Sequence, residues 1–313
     1  MPEWVYEAGI GEARAALIER DRIVEAAIEL PTPLRLGTVA HAQLVELTAG
    51  GMGRLSIVGD EAVIPRIPKG VTKGATLTVE IVREAIPEPG RPKPPRAVAT
   101  DAAPVEGPDL LARLHASGHP VRTLRPHEPD ALEAAGWSEL LEEAMDGAIP
   151  FPLGALRLSP TPAMTLFDVD GPPPLELLAI AAAKAVAQAI RRHGIGGSIG
   201  IDFPTLEGKG PRQAVAEALD ATLPPPFERT AMNGFGFLQI VRPRPRASLP
   251  ELLRADPAAA ATRALLRRLE REPPGSPLHH RLPASVYATL TSRPDWLAEL
   301  ARRTGATHIF EPV

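Results

Sequence analysis

The sequence predicts a multidomain protein of mixed α+β and α/β class: a small OB-like β-barrel, a strand–helix–strand core and a small C-terminal α/β domain. Three observations lead there. Residues 36–82 hold five short β-prone runs separated by Gly-rich turns, the spacing of a small barrel. Residues 164–202 read as a short apolar strand, an Ala- and Leu-rich helix over Leu175–Arg192 with no internal Gly or Pro, and a second apolar strand. Residues 259–311 alternate helical patterns with two short strand-like runs.

Composition sets the limits. At 313 residues the chain can hold two or three modules with separate cores. With 44% hydrophobic residues but only three Trp, two Tyr and seven Phe, those cores are mostly aliphatic. The 37 Pro stand well above the usual ~5% of residues and predict stiff linkers. No cysteine is present, which excludes disulfides and thiolate metal sites. Residues 1–11 lack a signal-peptide pattern, and the apolar stretch 175–190 contains Lys184 and is shorter than the ~20 residues of a membrane span. These features read as a soluble, cytoplasmic protein with no membrane partner. The net charge of −4 is unevenly spread: from residue 229 onward there are 13 Arg, no Lys and seven acids, so this part carries +6 and the rest −10. Such polarity suits a basic face for an acidic partner, or simply scattered surface arginines.

Taken in order, residues 4–30 read as two strands with a turn near residues 19–22, closed by Pro31-Thr32-Pro33. The barrel runs follow at residues 36–42, 44–47, 54–58, 61–64 and 76–82. No Phe, Tyr or Trp lies between Arg35 and Ile86, so this barrel lacks the rings on which single-stranded bases usually stack, each worth about 1–3 kcal/mol. Arg54, Arg66, Lys69 and Lys73 remain as phosphate contacts or ordinary surface cations. Residues 87–99 read as a Pro-rich linker carrying Arg91, Lys93 and Arg96. Helical patterns occupy residues 109–116, 130–133 and 138–145, and a strand-like run covers 148–158.

The core strands each end on a carboxylate. Residues 164–167 deliver Asp168, with Asp170 two positions on, and residues 198–201 deliver Asp202. A strand–helix–strand crossover makes its strands parallel and close, so Asp168 and Asp202 should share one sheet edge. Two such carboxylates repel unless a cation lies between them, and Mg2+ suits an all-oxygen pair. An Asp after a strand also caps turns, so spacing alone leaves both readings open. Past Asp202, Lys209 and Arg212 lie in a loop near that edge, where they either steady a phosphate or are merely solvated. Arg242, Arg244 and Arg246 alternate after a strand at 236–241, which puts their side chains on one face. In the tail, helices are expected at 259–270, 284–291 and 294–303, with short strands near 280–282 and 308–311; His279-His280, beside Pro and without an acidic partner, reads as surface.

Three motifs carry a resemblance: Thr165-Leu166-Phe167-Asp168-Val169-Asp170-Gly171, Gly196-Gly197-Ser198-Ile199-Gly200-Ile201-Asp202-Phe203, and Phe235-Gly236-Phe237-Leu238-Gln239-Ile240-Val241-Arg242-Pro243-Arg244. In order and separation they resemble the catalytic core of the ribonuclease E/G family. The resemblance is dense over residues 140–249, thinner over 4–86 and faint in the tail. It implies N-terminal strands (residues 1–33) that join a ribonuclease-H-like supporting part (100–160), an RNA-binding barrel (34–86), the linker (87–99), a deoxyribonuclease-I-like catalytic part (161–250) and a trimmed C-terminal domain (251–313). It implies Mg2+ held by Asp168 and Asp202, with a third metal-site position at Asp170, where the family has Asn. Single-stranded RNA would be the partner, held by Arg242, Arg244 and Arg246, with Lys209 and Arg212 near the scissile phosphate. The family's 5′-sensor domain has no counterpart in length, and its zinc-linked tetramer cannot form without cysteine, leaving a monomer or homodimer. The expectation is a Mg-dependent endoribonuclease; the alternative is a non-catalytic RNA-binding accessory protein that keeps the fold, favoured by Asp170 and the aromatic-free barrel.

Overall fold

Why the chain folds as it does is clearest strand by strand in the computed structural model, which describes residues 1–48, 50–88, 92–273 and 275–313. Strands β1 (Glu3–Ala8), β2 (Ala13–Glu19) and β3 (Arg22–Glu29) form an antiparallel meander. The sequence suggests two strands here, but the turn Gly9-Ile10-Gly11-Glu12 splits the first. That turn is a docking point rather than a solvated loop. Ile10 is buried in the C-terminal core, and Glu12 accepts hydrogen bonds from Arg263 at 2.8 Å and from Arg267.

Next come β4 (Val39–Leu47), β5 (Gly53–Ile57), β6 (Asp60–Ile64), β7 (Thr76–Arg83) and β8 (Arg96–Ala99), which close into a five-stranded barrel around Leu44, Leu55, Ile57, Ile64, Val79 and Ile81. The number of strands is as expected, their identity is not. Runs 36–42 and 44–47 are one strand carried through a bulge between Leu44 and Glu46. The fifth strand comes from the expected linker: Arg96–Ala99 pairs with β7, and Ala97 is fully buried. The prolines before it, which cannot donate to a ladder, mask this strand in the sequence. Arg91 of that segment lies outside the described residues.

The chain then returns to the first sheet through α1 (Leu110–Ala116), β9 (Val121–Thr123), α2 (Ala131–Ala134) and α3 (Trp137–Asp146). Asp109 and Asp130 cap α1 and α2 by accepting backbone N–H bonds. Strand β9 pairs in parallel with β1, giving the order β3-β2-β1-β9, so the barrel is an insertion in a sheet that forms around it.

The central unit is a six-stranded sheet. Its elements are β10 (Ala148–Phe151), β11 (Gly154–Pro160), β12 (Thr165–Asp170), α4 (Leu175–Arg192), β13 (Gly197–Asp202), α5 (Lys209–Thr222), β14 (Glu228–Arg229) and β15 (Phe237–Arg242), in the order β10-β11-β12-β13-β15-β14. The expected single strand at 148–158 is a hairpin, and it belongs to this sheet rather than to the supporting part. One face of the sheet, including Leu156, Leu158, Phe167, Ile199, Ile201, Leu238 and Ile240, packs under α4 and α5. Alternation sends the other residues of each strand to the opposite face, where Arg157, Asp168, Asp170 and Asp202 are exposed.

The tail contains α6 (Leu249–Ala255), α7 (Pro257–Glu270), β16 (His279–Leu282), α8 (Ala284–Thr291), α9 (Pro294–Thr304) and β17 (Ile309–Pro312). Helix α6 is unexpected from the sequence. A capping box between Ser248 and Glu251 starts it, and Leu249 and Leu253 join Trp137, Leu140, Val5 and Ala16 in one buried cluster against the first sheet. His280 is half-buried rather than fully on the surface, with its Nε2 3.0 Å from His308 Nδ1. Among the described residues no helix is long and apolar enough to cross a membrane.

Candidate active site

The parallel pairing of β12 with β13 sets the site. Its register places Asp168 directly opposite Asp202 at the C-terminal ends of two adjacent strands, which in a sheet lie about 4.8 Å apart. Antiparallel neighbours extend the row on both sides, Arg157 opposite Asp168 and Phe237 opposite Asp202. Across four strands the exposed face therefore reads Arg157, Asp168, Asp202, Phe237. Asp170 occupies the same face one pleat repeat along β12, about 7 Å further on.

Among the described residues, none of Asp168, Asp170, Asp202 or Arg157 has a side-chain hydrogen bond or ion pair. No three His, Cys, Asp or Glu side chains are gathered into a metal-holding group among the described residues either. Two carboxylates side by side, with open solvent in front of them, still fit Mg2+, which keeps several waters and binds through one or two carboxylates. Asp168 and Asp202 are the pair brought together; Asp170 is near but not beside them.

The predicted phosphate contacts divide differently. Lys209 and Arg212 stand on the first turn of α5 rather than in a loop. Lys209 is exposed, whereas half-buried Arg212 donates to the Leu206 carbonyl at 3.3 Å. Two of the three alternating arginines are engaged in structure; Arg242 is half-buried with no side-chain hydrogen bond or ion pair among the described residues. Arg244 pairs with Glu88 at 2.9 Å and with Glu251, and Arg246 donates to Glu84 at 3.0 Å. The Glu84 amide also donates to the Pro245 carbonyl at 2.9 Å. Burial lowers the pKa of Arg242, and burial with the nearby Arg113 charge lowers that of Arg246. Burial opposes the ionised form of Glu88, but hydrogen bonds from Lys93 and Arg244 outweigh it and hold the carboxyl below its usual range. This segment clasps the barrel to the large sheet. Gly197, at φ +83°, makes room for it, since a Cβ there would come within 3.0 Å of Arg244 Cδ.

A cavity of about 680 Å³ adjoins the clasp, walled in part by Glu29, Ile86, Leu110, Arg113, Arg244 and Arg246. None of the row's four residues lines it. No family model and no curated protein matches this chain.

The sequence assigns no role to Arg157, and Phe237 appears in it only as part of a motif, not as a neighbour of Asp202. The alternation Leu156-Arg157-Leu158 does mark Arg157 as pointing away from the core. Only the antiparallel register of β11 on β12, which no local pattern encodes, sets it beside Asp168.

Proposed function

We propose that the protein is a Mg-dependent endoribonuclease acting on single-stranded RNA, a short ribonuclease E/G-like chain with ribonuclease-H-like supporting and deoxyribonuclease-I-like catalytic parts. One observation carries the reading: the in-register pair Asp168–Asp202, exposed and unpartnered among the described residues, at the C-terminal edge of parallel strands. Polar groups that folding leaves without partners on a rigid sheet are the ones available for chemistry.

Asp168 and Asp202 would hold the cation between them, relieving the repulsion between two neighbouring like charges. A bound Mg2+ supplies Lewis acidity and charge neutralisation at a phosphate. Arg157, next in the row, offers a guanidinium fork to non-bridging phosphate oxygens. Lys209, exposed seven residues beyond Asp202, adds a point charge near the same edge. Hydrolysis joins a water oxygen to phosphorus and breaks the bond to the 3′ oxygen, which leaves as a hydroxyl; the products carry 5′-phosphates. Because Arg244 and Arg246 are bonded within the clasp, phosphate recognition falls to Arg157 and Lys209 first.

The test is cleavage of an AU-rich single-stranded RNA with Mg2+, set against EDTA and against Asp202→Asn. Loss of cleavage in both controls supports the reading. Binding without cleavage at any Mg2+ concentration would instead favour the non-catalytic RNA-binding accessory protein.

A further inference from the structure

Beside the carboxylates the row runs into an apolar floor. Phe237, opposite Asp202, has its ring over Gly200: a Cβ at that position would come within 2.7 Å of Phe237 Cζ, 2.8 Å of Leu166 Cδ2 and 3.0 Å of Met164 Sδ. Glycine at 200 thus lets the ring settle on the sheet between two other apolar side chains. Met164, Leu166 and Phe237 are all only half-buried, so the floor faces solvent.

Phe235 precedes Phe237 by two residues, in the turn that leads into β15. Its relative exposure is 85%, more than any other large apolar side chain among the described residues except Met1. The exposure is built in. Asn233 Oδ1 accepts the backbone N–H groups of Phe235 at 2.9 Å and Phe237 at 3.0 Å, while the Asn233 amide donates to the Phe237 carbonyl at 2.9 Å. The Phe203 amide donates to the Gly236 carbonyl at 3.1 Å, tying the turn to the residue that follows Asp202. A tightly bonded turn therefore presents an aromatic ring to water at the end of the carboxylate row.

We propose that Phe235 and Phe237 form a stacking platform for an unpaired nucleobase next to the scissile phosphate. The inference rests on the ribonuclease reading above and deepens it by naming what holds the substrate. An exposed ring two residues from Phe237, which itself lies opposite Asp202 on an apolar floor, suits a base attached to a phosphate. Every base offers a π face, so the platform tolerates sequence while requiring a single strand. It also supplies, at the sheet, the aromatic contact that the barrel lacks.

The experiment uses the full chain and a single-stranded decamer RNA carrying 2-aminopurine, with single abasic positions scanned around the cleaved bond. Wild type should quench 2-aminopurine at one position beside the cleavage point. Phe235→Ala should lose that quench and about tenfold in affinity, the order of one stacked base; Phe235→Trp should retain both. An abasic RNA at the same position should bind wild type about tenfold more weakly and be indifferent to Phe235→Ala. Unchanged affinity and quench in both Phe235→Ala and Phe237→Leu, with cleavage intact, would overturn the platform and leave the ribonuclease reading standing. A wild-type protein that neither binds nor cleaves the RNA would remove both.

Discussion

The open face of the six-stranded sheet and the surface of the barrel are both exposed, and the family resemblance implies catalysis for the first and RNA binding for the second. Some of their charges differ in what folding has done with them. On the barrel, Arg54 pairs with Glu46 at 2.7 Å; beside it, Lys93 pairs with Glu88 at 2.6 Å. On the sheet, four charged side chains lie on one face without an ion pair among the described residues. Between the two regions, Arg244 and Arg246 are bound to acids that belong to the barrel side and to α6. Exposure alone therefore does not tell a paired charge from a free one, and on the barrel Arg66, Lys69 and Lys73 are also without an ion pair among the described residues.

The largest effect should come from the sheet. Asp168→Asn or Asp202→Asn is expected to lower cleavage by at least about a thousandfold, the scale of losing a group that stabilises transition-state charge. Thermal stability should hold or rise slightly, because one of two neighbouring like charges has gone. Lys69→Ala with Lys73→Ala on the barrel should change cleavage by no more than about threefold. Equal losses from the two regions would erase the distinction.

In the clasp the ranking of stability and activity should invert. Arg244→Ala removes the guanidinium that bridges Glu88 and Glu251, leaving Glu88 with Lys93 and Glu251 with Ser248, which should cost about 1–3 kcal/mol. Chemical denaturation measures that loss, while cleavage per folded molecule should stay within a few-fold of wild type. A stable but inactive Arg244→Ala protein would return this arginine to the site.

How far the sequence reveals all this depends on the range of the interaction. Helix α4 is legible end to end, because its composition is local and has no breaker. The facing of Asp168 and Asp202 is also legible, since a crossover of that length dictates parallel neighbours. Strand β8 is hidden among prolines, and its pairing with β7 is a long-range contact. Likewise Arg244 and Arg246 look like an RNA surface until Glu84, Glu88 and Glu251 are brought to them, two of these from beyond 150 residues away in sequence. Arg157 is the converse case, an unremarked residue made relevant by register.

Within the sheet, Asp170 tests how sharply the pair is defined. It adds a third negative charge to the face but stands one repeat from Asp168. Asp170→Asn should shift the Mg2+ midpoint for cleavage upward by several-fold, while the rate at saturating Mg2+ holds or rises, because an amide can donate a hydrogen bond that a carboxylate cannot. A Mg2+ titration of both forms reads this directly. No change in midpoint or rate would confine the site to Asp168 and Asp202.

The smallest effect should come from the barrel, at the tip of the β5–β6 hairpin. Ile57 pairs with Asp60 across a two-residue turn, with Val58 at φ +51° and Gly59 at φ +87°. A turn with both central residues at positive φ favours Asn-Gly, and a β-branched residue there is strained. Val58 is 79% exposed, so replacing it removes little packing. Val58→Asn should therefore raise stability by about 1 kcal/mol, seen as a higher denaturant midpoint at unchanged slope. If the barrel tip takes no part in the reaction, RNA affinity and cleavage will not move. If stability rises while RNA affinity falls, the strained apolar tip is held out for contact with substrate. The barrel would then share the site with the sheet, despite its paired charges.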